Sequence, residues 1–216
     1  ACNIGGVFMK IMLDKSAHQI QAGAEKYNIQ FEQLRTPLTQ YRRDPLGMIP
    51  YGLDNGAYSD FNEERWLRMV EAAQGDVLCK WIVMPDRVGD AEYTTSLFNE
   101  YREHFINCAF ETDKLAYVIQ NGVRDEMIPW DKINCIFVGG DDLFKDGQLA
   151  RDICIKAKAL GLQVHVGRVN GPQRFVSWFD FADSVDGSGL AKYTHSLERL
   201  VRVIRSLENT TQTKLF

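Results

Sequence analysis

The segment Leu115-Ala116-Tyr117-Val118-Ile119-Gln120-Asn121-Gly122 runs through five apolar residues and then stops in two amides and a glycine. A continuous apolar run this short suits a strand buried on both faces, the habit of a parallel sheet covered by helices. The pattern recurs in both directions. Toward the C-terminus lie Cys135–Val138, Gln163–Val166 and Asp183–Val185; toward the N-terminus lie Val77–Met84, Ile49–Leu53 and Gly5–Met12. Amphipathic segments separate the runs. Asp60 with Glu63 resembles a capping box and leads into Trp66, Leu67, Val70 and Ala73 on one face. Leu149, Ile153, Ala157 and Leu160 form a second stripe closed by Gly161, and Ser16–Tyr27 reads as helix. Leu197, Leu200, Val201, Ile204 and Leu207 form the last stripe, before a polar C-terminal tail at 209–216. Gln30–Leu46, with Pro37, Pro45 and three arginines, reads as a long loop or short helix near a functional face.

A strand and a helix every ~25–30 residues is the βα unit. Seven such strands, or eight, over 1–216 predict an α/β chain folded as one small TIM-like (β/α) barrel domain. An open doubly wound sheet is the alternative, disfavoured because no G-x-G-x-x-G follows a strand. Lys+Arg 25 against Asp+Glu 29 gives net charge −4, which excludes a generally basic nucleic-acid coat but leaves room for a local basic groove. No apolar run approaches the ~20 residues of a membrane span, and Ile4–Leu13 is cut by Lys10 without a basic leader. The expectation is a soluble, cytoplasmic protein with no membrane partner. The five cysteines are scattered, with no C-x-x-C, so neither a disulfide framework nor a structural zinc is expected.

What ends each strand carries the chemistry. The ends are Asp54-Asn55-Gly56-Ala57-Tyr58, Pro85-Asp86-Arg87, Gln120-Asn121-Gly122, Gly139-Gly140-Asp141-Asp142, Gly167-Arg168-Val169-Asn170 and Asp186-Gly187-Ser188-Gly189. In an α/β fold these ends share one face, where active sites are built. Each alone is an ordinary turn. His165 alone is more often a core or supporting group, and Asp141, Asp142 and Lys145 suit a solvated loop. Six in succession are another matter, because turns do not require carboxylate, carboxamide and guanidinium at one end of neighbouring strands. Nothing matches His-x-x-x-His, an EF-hand, G-x-S-x-G or a P-loop. Carboxylates acting on carbon remain: one to trap an oxocarbenium-like centre, another to manage the leaving group's proton. Gln and Asp beside an exposed Gly-Gly backbone can read the edge of a flipped base.

The ordered set Asp54 to Tyr58, Pro85-Asp86, Gln120 to Gly122, Gly139-Gly140, Gly167 to Asn170 and Asp183 to Gly187 resembles the tRNA-guanine transglycosylase superfamily. It looks closest to the DNA-acting branch, the deazapurine DNA-modification transglycosylases of phages and bacterial genomic islands. The resemblance spans Asp54 to Lys192. It implies a TIM-like barrel that exchanges a base at its N-glycosidic bond, with Asp186 as nucleophile on the anomeric carbon and Asp54 as general acid/base. Asp86, Gln120 and the Gly139-Gly140 backbone would grip the base, and Tyr58 would stack on it or pack into the core. Arg168 and Asn170, and more weakly Arg174 and Lys192, are proposed for phosphate. The partners implied are DNA with a flipped or single-stranded nucleotide and, for exchange, a free nucleobase. No cofactor and no metal are implied, and a homodimer is left open.

The chain departs from the tRNA enzymes in three places. The Cys/His zinc subdomain is missing, which argues against tRNA. Ala57 and Ser59 replace the motif's second small residue and terminal Gln, and Asp141-Asp142 replace its glycine-rich segment. Water in place of a second base would make the same site a DNA glycosylase, as in defence against phages with modified DNA. A non-catalytic DNA-binding barrel and a metal-dependent sugar-phosphate enzyme also stay open at this level.

Overall fold

The computed structural model describes residues 9–39 and 47–213, with side chains through Leu207. Eight parallel strands close into a barrel in chain order, β1 pairing with both β2 and β8. They are β1 (Lys10–Leu13), β2 (Phe31–Arg35), β3 (Tyr51–Leu53), β4 (Cys79–Val83), β5 (Leu115–Ile119), β6 (Cys135–Val138), β7 (Gln163–Val166) and β8 (Ser184–Asp186). The helices are α1 (Ala17–Tyr27), α2 (Glu63–Ala73), α3 (Ala91–Asn107), α4 (Asp142–Asp146), α5 (Gln148–Ala159), α6 (Pro172–Trp178), α7 (Ser188–Lys192) and α8 (Thr194–Thr213). The chain is a small TIM-like barrel.

Among the described residues no helix lies between β2 and β3, and a single 3₁₀ turn (Asp125–Met127) stands between β5 and β6. Side chains alternate in and out along each strand. Outward residues such as Tyr117, Ile119, Ile136 and Val164 join the shell under the helices with Trp66 and Phe105. Inward residues Met12, Leu34, Trp81, Val83 and Val118 fill the lumen. With both faces buried, the strands read as unbroken apolar runs.

Trp81 fits in the lumen because Gly52 faces it from β3: a Cβ at Gly52 would lie 2.3 Å from two carbons of the indole. Here the β3–β4 register shifts, between Tyr51 and Gly52. Below Trp81, Lys80 and Glu32 form an ion pair at 3.0 Å.

Several expectations are corrected. The segment expected as loop or short helix opens with β2. Its polar residues are buried in pairs: Glu32 on Lys80, and Gln33 between the Lys15 carbonyl (2.8 Å) and Arg35 Nε (2.7 Å). That polarity hid the strand. The cap of α2 is Asn62, not Asp60, with Oδ1 accepting the Arg65 N–H at 3.0 Å. Of the stripe expected on α5, Ile153 and Ala157 are buried, but Leu149 and Leu160 are exposed, and Ala150 and Cys154 complete the buried face. Val77, expected in a strand, is 90% exposed ahead of β4. Helix α8 continues through the polar segment to Thr213. Cys2, the Gly5–Phe8 half of the first expected strand and residues 40–46 lie outside the described residues.

Candidate active site

Asp186 is the last residue of β8 and 8% exposed. Its Oδ2 lies 2.9 Å from His165 Nε2, and its Oδ1 accepts the Arg168 N–H at 3.2 Å. His165 Nδ1 is 2.8 Å from Ser184 Oγ. With Asp186 ionised, Nε2 is the donor, and a neutral imidazole then accepts the Ser184 hydroxyl at Nδ1. The ring is wedged against Trp81 (centroids 4.7 Å apart) and Phe137 (5.0 Å). The nucleophile expected from sequence is therefore held from below by a packed imidazole, a supporting role rather than that of a separate catalyst.

Asp54 follows β3 directly. Its Oδ1 accepts the Gly56 N–H at 3.3 Å, and Gly56 turns the chain with φ +76°. Burial, then the charges of Asp186 and Asp86, push the Asp54 carboxyl up to about 7. Asp86, after β4, is oriented by Asn55, whose Nδ2 donates to Asp86 Oδ1 and to the Met84 carbonyl, both at 2.8 Å. Asn55 Oδ1 accepts the Ala57 N–H at 2.8 Å, so one buried amide ties the ends of β3 and β4 together. Burial raises the Asp86 carboxyl as well.

Asp54, Asp86, Asp186, Tyr58, Gln120, Gly139, Gly140 and Arg168 all line one cavity of about 70 Å³. That is room for several waters. Gly140 has φ +75°, and a Cβ there would press on Asn121 and Phe144; the pair lets the backbone form the wall. Arg168, itself at φ +61°, lies across the mouth. Its guanidinium stacks 4.1 Å from the Tyr58 ring and donates to the Gly140 carbonyl at 2.5 Å. Tyr58 is thus not a core residue: it is 66% exposed, with the Arg168 guanidinium stacked on its ring.

Other expected contacts are arranged differently. Gln120 is buried, with both amide hydrogens and one lone pair of its oxygen engaged. Nε2 donates to the Arg87 carbonyl (2.9 Å) and Thr94 Oγ1 (2.6 Å), and Oε1 accepts the Gly89 N–H (2.7 Å). These bonds shape the loop after Asp86, and the residue also lines the cavity. Asn170 Oδ1 accepts the Gly189 N–H at 2.8 Å and anchors the start of α7. Arg174 is bound to Asp142 (2.8 Å) and Asp146 (3.0 Å). These two residues, with Arg168 and Arg199, line a broad groove beside the cavity. Lys192 lines neither space and is exposed, although its charge lowers the Asp14 carboxyl.

One group went unnoticed in the sequence and another was misplaced. Asp14, at the end of β1, accepts Thr39 Oγ1 at 2.7 Å; burial and the Asp186 charge raise it. The strand-end rule that found Asp54 and Asp86 would have found it. Lys145, expected in a solvated loop, is fully buried on α4 and lines the cavity. No sequence signal distinguishes it from a surface lysine. Among the described residues no group of three or more His, Cys, Asp or Glu is disposed to hold a metal ion. No helix among them is long and apolar enough to cross a membrane.

Two acids thus face one small cavity, one raised toward neutrality and the other oriented by an imidazole and a backbone N–H. Such a pair can form and break a bond at carbon while moving a proton. No model of a known protein family matches the chain, and no curated protein matches it in sequence.

Proposed function

We propose that the protein displaces a nucleobase from its N-glycosidic bond in DNA, with Asp186 as the nucleophile and Asp54 as the general acid/base. A carboxylate oxygen of Asp186 attacks C1′ of a flipped or single-stranded nucleotide, and the C1′–N bond breaks. The departing base takes a proton from Asp54, whose position near neutrality suits a group that must give and take a proton. In exchange, a 7-deazaguanine-type base enters, loses its proton to Asp54 and attacks C1′, and Asp186 leaves. Asp86 and the Gly139–Gly140 wall would hold the base edge. The carrying observation is that Asp54 and Asp186 open on the same cavity.

Hydrolysis is the second outcome. Water would resolve the Asp186–sugar ester and leave an abasic site, and a cavity with room for several waters supports it. Both outcomes are tested by incubation with naturally modified phage DNA and plain DNA. Released bases are identified by mass spectrometry, abasic sites are counted, and label uptake from free deazapurine is followed. Label uptake means exchange; released base with abasic sites means hydrolysis. The activity should vanish in Asp186→Asn while the fold persists. Base release undiminished in that variant, or absent from every DNA at high enzyme concentration, would overturn the proposal.

A further inference from the structure

Lys145 has no part in the displacement just described, yet it is fully buried and lines the same cavity as Asp186. One hydrogen bond holds it, from Nζ to the Gly167 carbonyl at 2.6 Å. Gly167 also borders Asp186: a Cβ built on it would lie 3.5 Å from Asp186 Oδ2. The amine and the carboxylate therefore flank one residue. Among the described residues no carboxylate forms an ion pair with Lys145, whose single partner is that carbonyl.

A buried ammonium with one neutral acceptor is a costly arrangement, whereas a neutral amine needs no counter-ion. Burial, then the Arg168 guanidinium, lower Lys145 to about 8; Arg174 acts in the same direction, and Asp186 and Asp142 oppose it. Desolvation beside a second cation is how lysines become nucleophiles toward carbonyl carbon.

We propose that Lys145 captures the aldehyde of an abasic deoxyribose in this cavity as a Schiff base, giving the protein a strand-cleaving lyase activity besides base displacement. The proposal rests on the reading of the cavity as a site for C1′ of a nucleotide in DNA. An abasic sugar opens to expose its C1′ aldehyde. Nζ adds to C1′, and with a proton from a rim carboxyl the carbinolamine loses water to leave a protonated imine. The carboxylate so formed takes a proton from C2′, the C–H pair becomes the second C1′–C2′ bond, and the C=N pair moves onto Nζ, to return and restore the imine as the leaving group departs. The C3′–O3′ bond then breaks, its electrons leaving on the 3′ phosphate, and a C2′–C3′ double bond forms. Water hydrolyses the imine, restoring the amine and releasing the unsaturated aldehyde. No oxidant or reductant is consumed.

The test uses the full chain and an oligonucleotide whose abasic site was made beforehand without this protein. Sodium borohydride is added to reduce any imine, and the digested adduct is mapped by mass spectrometry. The expected result is a deoxyribose-derived mass on residue 145, with strand scission when borohydride is omitted. Lys145→Met should lose both. Should that variant fail to fold, the peptide map of the unsubstituted protein still decides. No adduct, or an adduct confined to other lysines, overturns the proposal. Modified bases released without any adduct would sink the lyase and leave base displacement standing. An adduct on Lys145 with no base released from any DNA would do the reverse.

Discussion

His165 Nε2 and Asp186 Oδ2 lie 2.9 Å apart at the floor of the cavity, joined across neighbouring strands. Neither group is free to rotate: Trp81 and Phe137 pack the ring, and Ser184 holds its far nitrogen. The carboxylate is thereby aimed before any substrate arrives. His165→Phe keeps the packing and removes both hydrogen bonds. Base release should fall about 10²-fold, the scale of a misplaced reacting group. Single-turnover rates across pH check this. A positioning role leaves the shape of the profile intact, and an altered limb would mean that His165 itself exchanges protons.

Asp54 titrates at about 7 in the folded protein, against an ordinary 3.8. Between those values the folded state holds a proton that the unfolded chain has lost. Stability therefore falls as pH rises through this window, and the penalty is complete above it. Each unit corresponds to about 1.4 kcal/mol. Asp54→Asn removes the penalty, so its Tm should exceed that of the unsubstituted protein at about pH 8 and the gain should disappear near pH 4. Base release should drop in the same variant. An equal Tm difference at both pH values would contradict the assignment.

Arg168 and Asn170 were expected to share a phosphate role, and their surroundings separate them. Arg168→Ala should weaken DNA binding regardless of sequence and reduce the salt slope by about 1. Asn170→Ala removes the contact that anchors α7 and should cost about 1 kcal/mol of stability while leaving the slope unchanged. Binding isotherms at several salt concentrations, with thermal melts of both variants, distinguish the two.

Gly52→Ala places a methyl group where Trp81 already lies. The lumen cannot yield without shifting β4, so a loss of about 3 kcal/mol or more is expected. Trp81→Leu in the same chain should recover part of it, read from denaturant unfolding of the single and double variants.

The strands that could be read from sequence were those apolar on both faces, such as Leu115–Ile119. β2 escaped because Glu32 and Gln33 are buried with partners from other strands and loops, information that no local window contains. Strand ends gave Asp54, Asp86 and Asp186 for a related reason: topology alone brings the C-terminal ends of parallel strands to one rim. Gln120 shares that position, but its amide turns toward Arg87, Gly89 and Thr94.

The order of residues along the chain was enough to favour a (β/α) barrel over an open sheet and to collect three of its acids at one end, because apolar periodicity and strand direction are local properties. What each polar group does there was settled only in three dimensions. Lys145 enters the cavity, His165 braces Asp186, and Arg174 is occupied by two aspartates, each through partners at least 21 residues away in the chain. Burial and charge act through space, so a lysine that reads as surface in sequence can be the least solvated cation of the site.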